Sequence, residues 1–334
     1  MKDIQQLHIS RQLTTLIESG LPLLDATKLM GFESVEKYLN QGQSLSFALE
    51  KLGFHSFCIG LIKTGEASGN LCDSLKQITQ FLDKKIKLKK KINKALHYPM
   101  IVLGISLLVM YAMFQWVVPS FENMFKNFQA ELPLPTQILI QTSHWVSNYF
   151  SFILMMLFVF LFIVYKFWQR NVLFQKLIDQ AFLKIPVFGS IRKSMLITQW
   201  ARNIGILYSN GIPILDSLQT TALNSNDWVT LELCSKIKIL LSQGWSFSDS
   251  LKIIDNRHRL INKAYFQLIK IGENSGELGK ILLSIAKQEE EKLDQLVDQL
   301  TQSLEPILML FMGIIIGSLV ISLYLPIFEM GQIL

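Results

Sequence analysis

The segment Gly65-Glu66-Ala67-Ser68-Gly69-Asn70-Leu71 returns later in the chain as Gly272-Glu273-Asn274-Ser275-Gly276-Glu277-Leu278. Its flanks return with it. Arg11 and Ser19-Gly20-Leu21-Pro22-Leu23-Leu24-Asp25 precede the first copy, and Arg202 and Asn210-Gly211-Ile212-Pro213-Ile214-Leu215-Asp216 precede the second. Gly20 and Gly211, Pro22 and Pro213, and Asp25 and Asp216 are each 191 apart. Gly42 and Gly244, like Leu49 and Leu251, are 202 apart. Gly65 and Gly272, Pro99 and Pro306, Pro119 and Pro326, and Phe121 and Phe328 are all 207 apart. The chain is therefore two copies of one unit, a soluble domain followed by an apolar helix, and any fold must respect that period. The offset grows in two steps, of 11 and 5 residues. These steps place two insertions between matched segments, where loops tolerate added length.

The apolar residues are concentrated. Of 334 residues 50% are hydrophobic and 17% charged, an apolar balance for a soluble protein. Met100–Val118 and Ile307–Leu325 hold no charge. At 1.5 Å per residue each spans roughly 28 Å, close to the hydrocarbon core of a bilayer. Phe150–Tyr165 is a third uncharged run, and the apolar stretch extends to Trp168 with Lys166 near its end. Three membrane helices are expected. Pro99 and Pro306 are expected in their first turns, where a missing N–H costs nothing, and Pro119 and Pro326 at their far ends.

Charge sets the orientation. Lys84, Lys85, Lys87, Lys89, Lys90, Lys91 and Lys94 precede the first run, and Lys166, Arg170 and Lys176 follow the second. The stretch between those runs holds only Glu122, Lys126 and Glu131. Basic flanks stay in the cytoplasm, and the lysine run is read as this signal rather than as a nucleic-acid contact. The start of the chain has no stretch of signal-peptide type. The expected order is a cytoplasmic helical domain over 1–97, a membrane helix over 98–119 and an extracytoplasmic loop over 120–148. A second membrane helix over 149–168, a second cytoplasmic helical domain over 169–305, a third membrane helix over 306–326 and an extracytoplasmic tail over 327–334 complete it.

Both soluble units read as all-α bundles. Leu13, Leu16 and Ile17 recur at helical spacing, Gly20 and Pro22 read as a helix stop followed by a helix start, and Asp25 falls in the next first turn. Ser44 is the expected N-cap of a further helix, and Ser246 stands in the same place in the second unit. Toward the apolar run the copies diverge. Lys84, Lys87 and Lys91 correspond to Glu291, Asp294 and Asp298, so one helical face is basic in one copy and acidic in the other. These are either two solvated faces or two faces that pair, within one chain or between protomers.

Catalytic constellations are lacking. The sequence has no phosphate-binding glycine loop with Lys-Ser or Lys-Thr, no His-Glu-Xaa-Xaa-His and no Gly-Xaa-Ser-Xaa-Gly elbow. Cys58, Cys72 and Cys234 have neither metal-site nor disulfide spacing and are expected to be buried, reduced thiols. Glu66 and Glu273 are the isolated carboxylates of interest. One reading has Gly65 and Gly69 permit a tight turn between helices while Glu66 and Ser68 bond backbone groups there. A second has the motif dock a partner, and a third has it share a hard cation between subunits, for which one carboxylate supplies few oxygens. The expectation is no cofactor, no metal and no enzymatic activity. A small transporter or a membrane enzyme is the alternative, although a transporter usually carries ionisable groups inside its helices.

In combination Arg11-Gln12-Leu13, Gly20-Leu21-Pro22-Leu23-Leu24-Asp25-Ala26, Gly65-Glu66-Ala67-Ser68-Gly69, Tyr98-Pro99 and Val118-Pro119-Ser120-Phe121 resemble the type II secretion system F family. The second half repeats the set through Arg202, Gly211, Pro213, Asp216, Gly272, Glu273, Ser275, Gly276 and Glu305-Pro306. Ala130-Glu131-Leu132-Pro133 looks like the secretion and pilus members of Gram-negative bacteria. Many members carry a longer segment ahead of the one holding Arg11. The resemblance implies a polytopic inner-membrane platform protein of type II secretion, type IV pilus assembly or competence machines. It implies as partners a cytoplasmic hexameric assembly ATPase, pilin or pseudopilin subunits, other inner-membrane assembly proteins and further copies of the chain.

Overall fold

A computed structural model describes residues 3–127, 133–170, 186–225, 227–255 and 260–331, and the described residues are almost entirely helical. The first half forms α1 (Asp3–Glu18), α2 (Leu23–Leu29), α3 (Glu33–Asn40), α4 (Leu45–Lys51), α5 (Ser56–Ser68) and α6 (Leu71–Ala112). A π-helical turn at Met113–Val117 leads into α7 (Val118–Asn127), and α8 (Leu134–Arg170) follows. The second half forms α9 (Pro186–Ser209), α10 (Ile214–Asn224), α11 (Trp228–Ser242), α12 (Phe247–Ile254), α13 (Lys263–Asn274) and α14 (Leu278–Gly331). The chain divides into two compact units, Met1–Lys91 with Gln180–Leu296, and Ile92–Asp179 with Val297–Leu334.

In the first unit two bundles are built alike. Helices α1 and α9 each end in a glycine of positive φ, Gly20 at 86° and Gly211 at 83°. Leu21 N–H reaches back to Leu16 O, and Ile212 N–H to Leu207 O, so freed helix-end carbonyls are satisfied. Asp25 and Asp216 then fall in the first turns of α2 and α10. The buried positions keep the repeat register. Leu13 and Ile204, Leu49 and Leu251, Ile62 and Ile269, Leu75 and Leu282, and Ile78 and Ile285 are all core residues. Each such side chain contributes about 1.5–3 kcal/mol of burial.

The insertion of 11 does not lengthen a loop. Helix α10 has 11 residues against 7 in α2, and α11 has 15 against 8 in α3, which together absorb it. Adding residues to helix ends costs no new unpaired backbone, because each extends an existing hydrogen-bond ladder. The insertion of 5 lies around the α12–α13 connection, part of which, residues 256–259, is outside the described residues.

The two bundles meet within this unit. Gln77 Nε2 donates to Asn210 Oδ1 at 3.1 Å and Asn210 Nδ2 donates to Gln77 Oε1 at 2.6 Å. Gly60 of α5 lies against α9 and α10: a Cβ there would stand 3.8 Å from both Leu207 Cδ2 and Thr220 Cγ2. Leu207, fully buried, joins the core cluster of the first bundle.

The proline expectations need correction. Pro99 lies inside α6 and Pro306 inside α14, which run 42 and 54 residues without a break. The boundaries at 97/98 and 305/306 are therefore not helix starts. A proline removes one hydrogen bond, and the ladders on either side hold the rod together. Pro119 and Pro326 do not end helices either, since α7 and α14 continue past them. Helix α8 starts at Leu134, well ahead of residue 149.

Within the second unit the cost of Pro119 and Pro326 is visible and offset. Val118 N–H bonds Met113 O in the π-helical turn, so the next rung would run from residue 119 to Phe114 O. Pro119 has no N–H to give, and Ser143 Oγ donates to Phe114 O instead, at 2.6 Å. Pro326 likewise leaves Ser322 O without its helical donor, and Thr136 Oγ1 donates to it at 2.6 Å. Thr136 and Ser143 are two turns apart on α8 and share a face. Phe114, Val118, Ile140 and Leu319 pack together beside these bonds. Thr136→Val and Ser143→Ala are each expected to lower stability by about 1 kcal/mol, read from unfolding of the detergent-solubilised chain. Unchanged stability would contradict the hydroxyl-cap account.

Two helical stretches in the described residues, Leu71–Phe125 and Leu278–Leu325, are long and apolar enough to cross a membrane. Only 11% and 22% of their most apolar windows are buried, unlike a soluble core helix. Leu107, Leu108, Leu310, Phe311 and Ile314 are exposed there.

Candidate functional site

The repeated Gly-Glu-Xaa-Ser-Gly segment closes α5 and α13 and turns the chain into α6 and α14. Its carboxylate reaches another helix. Glu66 Oε1 accepts from Leu45 N–H at 2.5 Å, and Glu66 Oε2 accepts from Ser46 Oγ at 2.6 Å and Ser46 N–H at 3.4 Å. Glu273 repeats this on α12, accepting from Phe247 N–H at 2.5 Å and Ser248 N–H at 3.0 Å. The third N–H of each helix goes to its N-cap serine: Phe47 to Ser44 Oγ at 3.2 Å, Asp249 to Ser246 Oγ at 3.0 Å. Three of the four unpaired donors at each helix start are thus satisfied, with the negative charge at the positive end of the dipole. The turn reading of Glu66 is corrected accordingly: its target lies about 20 residues upstream. Ser68 and Ser275 make only long back-bonds, to Gly65 O at 3.5 Å and Gly272 O at 3.4 Å.

The two glycines of the motif do different work. Gly69 and Gly276 take φ of 75° and 73°, which only glycine adopts without strain. Gly65 and Gly272 let helices approach. A Cβ on Gly65 would fall onto Ser74 Oγ and 2.8 Å from Ser74 Cβ. One on Gly272 would stand 2.7 Å from Ile281 Cγ1. Ser74 and Ile281 are 207 apart, so both hairpins touch at the same register.

Arg11 and Arg202 also have a common task. Arg11 Nη2 lies 3.4 Å from Asp83 Oδ1, and Arg202 pairs with Glu290, joining the first helix of each bundle to the last. Asp83 and Glu290 are 207 apart, a signal present in the register and missed by motif reading. Arg11 is half exposed, whereas Arg202 is buried because α6 packs over it.

The basic and acidic faces pair in part. Lys84 Nζ lies 3.6 Å from Glu290, and Lys91 Nζ lies 3.0 Å from Asp294 Oδ1. Lys87 instead bonds Asp83 of its own helix at 2.7 Å, and Glu291 lies 4.0 Å from Lys287 on its own helix. Asp298 lies further along α14, in the second unit. Exposed pairs of this kind contribute up to about 1 kcal/mol each, so they set register more than stability.

Other polar groups went unnoticed in the sequence. Glu289, 2% exposed, occupies the register position of Leu82 and takes a hydrogen bond from Tyr265 OH at 3.0 Å. Burial, then the Glu289 charge, pushes the Tyr265 phenol up to about 12. At the start of α1, burial raises the Asp3 carboxyl, but His55 and Lys85 outweigh it and hold it below its ordinary value.

No group of three metal-ligating side chains occurs among the described residues. Cys58 and Cys234 are buried, and burial pushes both thiols up to about 12. Cys72 is only half-buried, against expectation, because it sits in the first turn of α6 beside the open Gly69 turn. With maleimide at pH 7.5, Cys72 is expected to label first, with Cys58 and Cys234 reacting only on unfolding. Equal labelling of all three in the folded chain would contradict this burial pattern.

Comparison with known proteins extends the register. A family model described as type II secretion system (T2SS), protein F matches residues 9–119 and 200–326, segments that begin 191 apart and end 207 apart. The chain is 29% identical to the type IV pilus assembly protein PilC of Pseudomonas aeruginosa, over 97% of this chain and 89% of the relative. It is 30% identical to a protein transport protein HofC homolog of Haemophilus influenzae, over 97% and 84%. It is 25% identical to type II secretion system protein F of Pseudomonas aeruginosa, over 97% and 82%. With the family's model covering most of both halves, the chain belongs to the type II secretion system protein F family.

Proposed function

We propose that the chain is a polytopic inner-membrane platform protein of a type IV pilus, type II secretion or competence pseudopilus machine. It couples a cytoplasmic hexameric assembly ATPase to insertion of pilin-like subunits into a filament. The observation that carries this reading is the family match over both halves, together with relatives named for pilus assembly and for secretion. In this reading residues 1–97 and 169–305 are repeated cytoplasmic bundles, and membrane helices cross near 98–119, 149–168 and 306–326. Residues 120–148 and 327–334 then lie outside. Exposed Phe152, Met155, Phe158, Phe160 and Phe162 on α8 support the crossing near 149–168.

The sequence has no phosphate-binding glycine loop of its own, which supports a passive, force-transmitting part driven by another protein's ATP hydrolysis. The chain itself is then not an enzyme and needs no cofactor. Its Glu66 and Glu273 clasps keep each bundle rigid, and further copies and other inner-membrane assembly proteins complete the platform. Deleting the gene in the native host is expected to abolish at least one of surface pili, protein secretion and DNA uptake, with restoration by the full chain. All three unchanged would overturn the proposal.

A further inference from the structure

The two bundles of the first unit do not fill all the space where they meet. Phe81 and Lys84 of α6 line one side of a cleft, and Arg202 and Ile206 of α9 with Leu283 and Lys287 of α14 line the other. The cleft holds about 830 Å³ of empty space, open solvent included, which is the size of a small-molecule site. Its lining has cations from both bundles, Lys84 from the first and Arg202 and Lys287 from the second, and no aspartate or glutamate among the described residues. A cleft lined by one sign of charge between low-dielectric walls concentrates the potential of that sign. The reciprocal Gln77–Asn210 amide pair also borders it, and Phe57 holds the Phe81 wall in place, with ring centroids 4.2 Å apart.

The ion pairs inside the chain leave these cations incompletely neutralised. Glu290 is shared, pairing with Arg202 and lying 3.6 Å from Lys84 Nζ. Lys287 Nζ is 4.0 Å from Glu291, and their side chains are 75% and 65% exposed, so that pair contributes little. Arg202 has the larger unmet demand. Its side chain is 9% exposed, yet among the described residues Glu290 is its one hydrogen-bond partner, through Nη2. A guanidinium carries five N–H donors, and buried donors without acceptors are costly. Its repeat counterpart Arg11 is 54% exposed and has water for the same need. Phosphate oxygens fit what the cleft presents, since the arginine fork takes two at once and lysines act as point charges beside it.

We propose that this cleft binds a small, soluble, phosphate-bearing anion, with Arg202, Lys84 and Lys287 on the phosphate. Phe81, Ile206 and Leu283 give an organic body an apolar wall to lie against. Because the cations come from both bundles, the bound anion ties the bundles together at the contact that the Gln77–Asn210 pair already makes. A ligand held only by the folded, joined pair stabilises that pair by mass action. The site thereby makes the bundle contact responsive to a soluble metabolite. The proposal stands on the bundle pair alone, so it holds or fails independently of any ATPase.

The test is calorimetric titration of the full-length chain, purified in detergent and free of phosphate, with sodium pyrophosphate and with ATP. The salt is held at about 0.15 M, where distant charges are screened. Saturable binding of at least one probe is expected, together with a higher unfolding midpoint in its presence. Binding of both assigns recognition to the phosphates, and binding of ATP alone adds the organic body; either supports the proposal. Lys84→Gln with Lys287→Gln, two exposed positions whose change does not threaten the fold, is expected to weaken binding about tenfold. Lys89→Gln with Lys90→Gln removes the same charge from exposed positions outside the cleft lining and is expected to leave binding nearly unchanged. Arg202→Lys keeps the charge without the fork and is expected to weaken binding as well, with helicity and elution position reporting that each variant is folded. No saturable binding of either probe by the folded chain would overturn the proposal. Binding insensitive to the Lys84 and Lys287 changes, or equally weakened by those at Lys89 and Lys90, would overturn it too.

Discussion

Glu66→Ala and Glu273→Ala are each expected to destabilise the chain by about 3 kcal/mol, combining a lost helix cap with charge-assisted hydrogen bonds. The mechanism is the same in both halves. Each carboxylate satisfies the first two backbone donors of a short helix, α4 or α12. The larger loss is expected at Glu66, which also accepts from the Ser46 hydroxyl at 2.6 Å. Glutamine at either position keeps an acceptor without the charge and is expected to recover about half of the loss. Hydrogen exchange localises the effect: the amides of Leu45 and Ser46, or of Phe247 and Ser248, should lose protection first. Protection unchanged at those amides would show that the carboxylate does not cap the helix.

Gly65→Ala and Gly272→Ala carry the second large effect, about 1–3 kcal/mol each from overpacking. Alanine ordinarily favours a helix over glycine by about 1 kcal/mol, so an unstrained site would be stabilised. Here the added methyl meets Ser74 in the first bundle and Ile281 in the second, with Leu71 and Leu278 backbone atoms 3.2 and 3.3 Å away. A side chain can rotate, but the neighbouring backbone cannot withdraw without spreading the two helices. Ser74→Gly is expected to relieve part of the Gly65→Ala loss, and Ile281→Ala part of the Gly272→Ala loss. Thermal unfolding of the single and double variants reads both. A single variant as stable as the parent would sink the close-approach account.

Local chemistry made much of this fold legible. The glycine stops at Gly20 and Gly211, the caps at Ser44 and Ser246, and the buried residues at helical spacing are short-range signals that packing left in place. The target of Glu66 was not legible, because nothing local marks which helix start a carboxylate will reach when the chain folds back. Helix continuity through Pro99 and Pro306 was misread for the opposite reason: proline is a strong local signal, and a long ladder overrode it. The charged faces show a third kind of limit. Lys84 corresponds to Glu291 by register yet pairs with Glu290, one residue or about 100° round the helix. Corresponding residues are not contact partners when two copies of a unit pack through different faces. Finding Asp83 and Glu290 needed only the 207 offset that located the motif, applied to acidic residues beside Arg11 and Arg202.

The Glu66 and Glu273 clasps matter to the proposed role only if an ATPase pushes on the bundles they hold. The direct measurement is capture of the hexameric assembly ATPase of the same organism by the tagged full-length chain, purified in detergent and eluting as a single folded species. The platform account predicts that the ATPase is retained, and that Glu66→Ala with Glu273→Ala weakens retention as the bundles loosen. A folded, monodisperse full-length chain that retains none of the ATPase would contradict it.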